Sequence, residues 1–327
     1  MTQCYLRFDM RAPAFGAERQ RLYDEALSMV AWADERGFRA VRLSEHHGVD
    51  DGYCPAPLTL AAAMAARSRR IRLSLAAIVL PLHEPLVIAE QVAVLDLISN
   101  GRVDLTFGAG YVPSELQMFG IEARSRGRVL EEKLAVLRQA WTGEWFEYQG
   151  RRVRVRPTPV QTPHPPLALG GSTPMAARRA ARLGCGFDTH LPELYDAYAD
   201  AARSAGFEPD PWRPLGPTFM HVTRDPEAAW RVIAPHALHE TNGYGRWAAE
   251  TGLDSSYHTM TDAEELRRSG GYAVVTPEQC LEIARGLGPR GVLIFHPLMG
   301  GLDPDFSWSS LELFAAEVLP ELMKDHR

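Results

Sequence analysis

A chain of 327 residues with 46% hydrophobic and 23% charged side chains has the composition of a globular protein, long enough for two ordinary domains or for one barrel with insertions. Thirty-five basic against 41 acidic side chains leave a net charge of -6 without a lysine-rich run, which argues against nucleic acid or an anionic membrane as partner. No apolar tract reaches the roughly 18 residues of a membrane span and Met1 to Asp9 is not a basic-then-apolar leader, so a cytoplasmic protein is expected.

Tyr5 to Met10 alternates as a short strand, and Leu22, Ala26, Met29, Val30 and Ala33 form a helical stripe that Gly37 ends. Phe38, Ala40, Val41 and Leu43 then read as a buried strand that stops at Ser44-Glu45-His46-His47-Gly48. A helix is expected from Pro57 to Ala66, and the near-continuous apolar run Ile71 to Leu80 suits a parallel strand covered on both faces. Pro81 and Pro85 open the helix Leu86 to Ile98. This helix and its predecessor are apolar nearly all round, which predicts a second buried face and hence a homodimer.

Val103 to Phe107 gives the next strand, ending in Gly108-Ala109-Gly110-Tyr111, followed by a helix from Arg128 to Trp141. Phe146 to Val155, broken at Gln149-Gly150, reads as an inserted hairpin. The strand Leu167 to Leu169 runs through Gly170-Gly171-Ser172-Thr173-Pro174 into the helix Met175 to Leu183. A strand at Gly186 to Asp188, a helix from Leu194 to Ala205, a strand from Leu215 to Val222 and a helix from Pro226 to Leu238 follow. From His239 to Gly271 the periodicity is weak, so an excursion with one helix near Arg246 to Glu250 is expected. Within it, Leu253 to Gly271 is expected to be a mobile lid. Thr276-Pro277-Glu278 opens a helix, Val292 to Phe295 is the last strand and Leu311 to Leu322 the last helix. Eight strand-helix units without Gly-x-Gly-x-x-Gly after the first strand favour a closed (β/α)8 barrel over a dinucleotide fold.

In such a barrel the chemistry sits at the carboxyl ends of the strands, where Glu45, His46 and His47 fall, with His83, His190 and His296 also just after strands. A histidine pair can be a surface feature or part of a metal site, but no His-Glu-x-x-His, Cys-x-x-Cys or His-x-His accompanies it. Cys4, Cys54, Cys185 and Cys280 are far apart and are expected to be reduced and buried. No metal is expected. Gly170 to Pro174 offers backbone, two hydroxyls and a helix amino terminus to a phosphate, or is an ordinary capped helix start. Gly108 to Tyr111 leaves room for a flat ligand that Tyr111 could cover, or is a glycine-rich turn with one packed aromatic.

Taken in order, Ser44-Glu45-His46-His47, Ala76-Ala77-Ile78-Val79-Leu80-Pro81, Ile98-Ser99-Asn100-Gly101-Arg102, Gly108-Ala109-Gly110, Gly170-Gly171-Ser172-Thr173 and Thr276-Pro277-Glu278 resemble the bacterial-luciferase-like flavin-dependent monooxygenases over essentially the whole chain. The resemblance implies one α/β (β/α)8 TIM-barrel domain over residues 1–327 that binds reduced FMN or the deazaflavin F420 at its carboxyl-end mouth. It implies a cis peptide at Ala76-Ala77 against the flavin ring and a cofactor site built from Ala76, Ala77, Gly108, Ala109, Gly110, Tyr111, Gly170, Gly171, Ser172 and Thr173. His46 would be the catalytic histidine, with Glu45 and His47 orienting it. Two positions depart from the luciferases: Ala109 stands where they carry a phosphate-binding arginine, and Ser172 replaces an acidic residue. The implied activity is oxygenation of a small organic substrate by a flavin-dependent oxidoreductase supplied by a separate flavin reductase. The alternatives are an F420-dependent hydride-transfer enzyme, a flavin-binding protein without catalysis, and a metal-dependent barrel hydrolase, the last disfavoured by the missing ligand motifs.

Overall fold

The computed structural model describes residues 2–251 and 258–324 of an α/β chain. In order the elements are β1 (Gln3–Phe8), α1 (Arg19–Glu35), β2 (Ala40–Leu43), α2 (Pro57–Arg67), β3 (Arg72–Val79), α3 (Pro85–Ser99), β4 (Val103–Gly108), α4 (Pro113–Met118) and α5 (Arg126–Trp141). The hairpin β5 (Phe146–Tyr148) and β6 (Arg151–Val153) precedes β7 (Leu167–Gly170), α6 (Pro174–Arg182), β8 (Gly186–Asp188) and α7 (Pro192–Ser204). Then come β9 (Phe219–Val222), α8 (Pro226–Thr251), α9 (Ala263–Arg268), β10 (Tyr272–Val275), α10 (Pro277–Leu287), β11 (Val292–Phe295), α11 (Pro304–Leu313) and α12 (Leu319–Lys324). Two compact units make up the chain: Met1–Arg42 with His46–Pro55 and Arg213–Arg327, and Leu43–Glu45 with Ala56–Trp212.

In the second unit β3, β4, β7 and β8 lie side by side, each parallel to the next. Their carboxyl ends, at Val79, Gly108, Gly170 and Asp188, therefore share one edge. The helices cover hydrophobic faces: Leu60, Met64, Ile88, Val92, Leu130, Leu134 and Leu137 are buried. Arg102, a buried guanidinium, is satisfied by the carbonyls of Ala65, Ser68, Ile71 and Ser99 and by the Ser68 hydroxyl, which ties the end of α2 to the start of β4. The hairpin expected from Gln149-Gly150 is present, with Phe146 opposite Val153.

In the first unit β1 pairs in parallel with β11, and β2 lies on the other side of β1. Leu6 is opposite Phe295, so the residues that follow, Asp9 and His296, leave the sheet close together. Leu215 makes a single bridge to Val292, and the strand proper begins only at Phe219, parallel to β10.

Four expectations need correction here. Tyr272–Val275 is an additional parallel strand, four residues long between Gly271 and the helix cap Thr276. Pro113–Met118 is a further short helix. The helix beginning at Pro226 does not end near Leu238 but runs on to Thr251 with Pro235 inside it. Its second half buries Glu240, Thr241, Gly243 and Gly245 along with Trp247 and Ala248, so polar and bare positions interrupt the inward face and weaken the hydrophobic stripe. The final helical stretch starts at Pro304, capped by Asp303, rather than at Leu311.

The expected lid is corrected in the part that is described. Residues 253–257 of it lie outside the described residues. Beyond them Asn242 brackets Met260 with two hydrogen bonds, and Asp262 caps the helix α9. Leu266 on that helix is buried in one cluster with Phe219, Trp230, Ile233 and Val274. Packing of this kind fixes residues 260–268 to their own unit, as a loop of turn formers would not.

Candidate active site

The expected cofactor residues converge in the second unit. Ala77 is only partly covered between the buried residues Ala76 and Ile78, and its peptide bond with Ala76 is cis, as the resemblance implied. A Cβ added to Gly108 would lie 3.4 Å from the Ala77 methyl, and one added to Gly170 would lie 3.7 Å from the same methyl and 3.3 Å from Thr106 Cγ2. Three neighbouring strands thus present one methyl group and two bare backbones at their carboxyl ends, a surface on which a flat ring can rest and which side chains would fill. Ser44 Oγ donates to the carbonyl of Ala76 at 3.0 Å, bracing the strand where it turns. Gly110 has a positive φ and packs so close to Val79 and Leu116 that a Cβ would come within 2.9 Å of Val79 Cγ1. Ala109 is half-buried beside it, and Tyr111 is 41% exposed.

Gly171 lies against the first turn of α6, where a Cβ would collide with the methyl of Ala176 at 2.4 Å. Thr173 caps the helix by accepting from Ala176 N at 3.2 Å, and Ser172 and Thr173 are exposed. A phosphate at this end would meet backbone N–H groups, the Ser172 hydroxyl and the positive end of the helix dipole. Backbone bed and helix end together have the bare surface and the donors that a flat ring carrying a phosphate would require.

Glu45 belongs to the same unit. Its side chain is fully buried; Oε2 accepts from Val79 N at 2.7 Å and Oε1 is 2.6 Å from His83 Nε2. Sequence reasoning had placed His83 only among the histidines following strands, and nothing local marks it as the partner of Glu45. His190, also considered there, is exposed.

In the first unit His46 is 7% exposed and sits on an aromatic floor. Its ring stacks on Trp247 with centroids 4.1 Å apart and meets the edge of Tyr53 at 4.7 Å. Beneath the floor is Arg11, wholly buried, with its guanidinium 4.7 Å from the Tyr53 ring centre, 5.0 Å from Trp247 and 5.3 Å from Tyr244. Gly243 leaves room for the guanidinium, since a Cβ there would fall 2.8 Å from Arg11 Nη1. Arg11 pairs with Asp51 at 2.8 Å and Asp9 at 3.5 Å. Burial alone would raise the Asp51 carboxyl, but the hydrogen bonds of His239 and Arg11 prevail and hold it below its ordinary range. Burial likewise opposes ionisation of Asp9, and His296, Arg11 and Arg7 outweigh it.

The ring of His296, completely buried, lies between two carboxylates, Nε2 3.5 Å from Asp9 and Nδ1 3.4 Å from Glu240. Arg7 reaches the same Glu240 at 3.3 Å and donates to Tyr244 at 2.8 Å, and the hydroxyls of Tyr244 and Tyr53 are 3.1 Å apart. The sequence analysis missed this network. Its one legible signal was the spacing of Glu240, Tyr244 and Trp247, which puts all three on one helical face. His47 is half-buried in the same unit.

A family model described as luciferase-like monooxygenase matches residues 8–287. The chain belongs to the luciferase-like monooxygenase family. It is 32% identical over 322 residues to a 4-hydroxyprotoasukamycin monooxygenase of Streptomyces nodosus subsp. asukaensis, covering 90% of this chain and 85% of that one. It is 29% identical over 333 residues to an F420-dependent glucose-6-phosphate dehydrogenase of Microbacterium testaceum, covering 92% and 94%. The oxygenase component of the flavin-dependent trigonelline monooxygenase of Acinetobacter baylyi is 29% identical over 174 residues, so the match spans 51% of this chain and only about half (48%) of that relative. In fold, the oxygenating constituent of 3,6-diketocamphane monooxygenase from Pseudomonas putida, solved with FMN, superposes with a TM-score of 0.76 at 21% identity over 98% of both chains. Relatives of this luciferase-like chain thus include flavin monooxygenases and F420-dependent enzymes. No helix among the described residues is long and apolar enough to cross a membrane.

Proposed function

We propose that the protein is a flavin-dependent monooxygenase that takes reduced FMN from a separate reductase and oxygenates a small organic substrate, on a single-domain (β/α)8 barrel. The observation that carries this reading is the bed of Ala77, Gly108 and Gly170 beside the amino terminus of α6, which suits a flat ring with a phosphate at one end. Bound reduced FMN would supply the electrons with which dioxygen is activated. Ser172 and Thr173 would hold the phosphate, and Ala76 and Ala77 would support the ring. Gly108, Ala109, Gly110 and Tyr111 would line its side. His46, fixed in orientation by Trp247 and Tyr53, would accept or donate the proton of the reaction, with His47 beside it.

An F420-dependent hydride transfer is the second reading. It is favoured by the dehydrogenase relative that spans nearly the whole chain and by Ala109, which provides no cation for an FMN phosphate. A crystal structure with reduced FMN decides the geometry. The proposal requires the phosphate at Ser172 and Thr173, and a phosphate bound elsewhere refutes that assignment.

The exposed apolar side chains of α3, Val87, Val94, Leu97 and Ile98, are the basis for proposing a homodimer joined through α2 and α3.

A further inference from the structure

Beyond Val79 the chain makes one tight turn at Leu80–Leu82 and delivers His83, whose N–H bonds back to Leu80 O at 3.2 Å. This turn is held from outside by Lys133 of α5, whose ammonium donates to Pro81 O at 2.7 Å and to His83 O at 2.5 Å. The chain has 35 basic residues of which two are lysines. One, Lys324, is an exposed neighbour of Glu321 near the end of the chain. The other stands where two carbonyls two residues apart converge on a point, a geometry for a compact ammonium with rotatable donors rather than a planar guanidinium fork.

Glu45 holds the imidazole itself. A fully buried carboxylate must be partnered, and one oxygen is taken by Val79 N–H. Its other oxygen lies 2.6 Å from His83 Nε2, a short hydrogen bond that orients the imidazole. The His83 side chain retains 25% exposure, so a ligand can reach it, and Val79 itself is two residues past Ala77 and in contact with Gly110. A histidine whose ring is oriented by a buried carboxylate, whose backbone is clamped and whose side chain keeps part of its exposure is built like a general base with its orienting carboxylate.

We propose that His83 is a proton-handling residue of this site, oriented by Glu45 and with Lys133 as a positioning residue that acts through the Pro81–His83 turn. The inference rests on the flavin-dependent reading above. The test uses wild type, His83→Gln, which keeps a donor for Glu45 but cannot carry a proton, and Lys133→Met. Three measurements are made on each: affinity for reduced FMN, the rate at which bound reduced FMN is reoxidised by dioxygen as a function of pH, and ring nitrogen NMR of the cofactor-free protein.

The expected result is that His83→Gln binds reduced FMN within about twofold of wild type, loses one titrating step from the pH profile and slows reoxidation at least tenfold. Lys133→Met should let the His83 ring exchange between tautomers and should change the same step of the profile. A His83→Gln profile and rate equal to wild type, or a wild-type His83 ring that already averages between tautomers, overturns the proposal while the flavin reading stands. Wild type that does not bind reduced FMN overturns the flavin-dependent reading, and this inference with it.

Discussion

His46 and Trp247 illustrate how far single residues can be read. The histidine was visible because it follows a short apolar strand and carries the resemblance, whereas the indole stacked on it is 201 positions away in a segment without periodicity. For His46→Ala we expect turnover to fall by about 10² or more, the scale of a lost acid or base, with flavin affinity nearly kept; steady-state rates and fluorescence titration check this, and wild-type turnover would exclude the role. His221 behaves differently. It is buried between Phe306, stacked at 4.5 Å, and Phe219, and burial pushes its pKa down to about 4 from 6.5. The folded state therefore binds fewer protons than the unfolded one between these values, so stability present above pH 6.5 is lost as the pH falls toward 4. The loss is on the order of 3 kcal/mol at about 1.4 kcal/mol per pH unit. Urea unfolding of wild type and His221→Phe at several pH values should find that slope reduced in the variant; parallel pH dependences would contradict the assignment.

Elements were legible where their burial is hydrophobic and obscure where it is polar. The strands β1 to β4, the hairpin, and the glycine turn before α6 follow from apolar runs and turn residues. The far half of α8 does not, because Glu240 and Tyr244 face ionised partners instead of a core.

Two tests belong at this scale. Gly108 has an ordinary φ, and a Cβ there would make normal contact with Ala77, so Gly108→Val should fold yet occupy the bed; flavin affinity should drop at least about tenfold with little change in melting temperature. Unchanged affinity would move the ring elsewhere. On α3, Val94 and Ile98 are 44% and 49% exposed one turn apart. Charged substitutions at both should turn a dimer into a folded monomer in sedimentation; a wild type that is already monomeric at micromolar concentration contradicts the proposed interface.

At the scale of the molecule, the strand-helix alternation and the family were both present in the sequence, while the choice of cofactor was not. That choice depends on how a phosphate is neutralised, and the chain offers hydroxyls and a helix end where an arginine and an acidic residue stand in the luciferases. Nothing in the methyl and bare backbone of the bed distinguishes one ring system from the other. The most direct measurement is a titration of the purified protein with FMN, reduced FMN and F420, followed by fluorescence and by oxygen uptake. The account predicts that reduced FMN binds more tightly than oxidised FMN or F420 and that its binding is followed by consumption of dioxygen. Tight binding of F420 without oxygen uptake, or binding of none of the three, would contradict it.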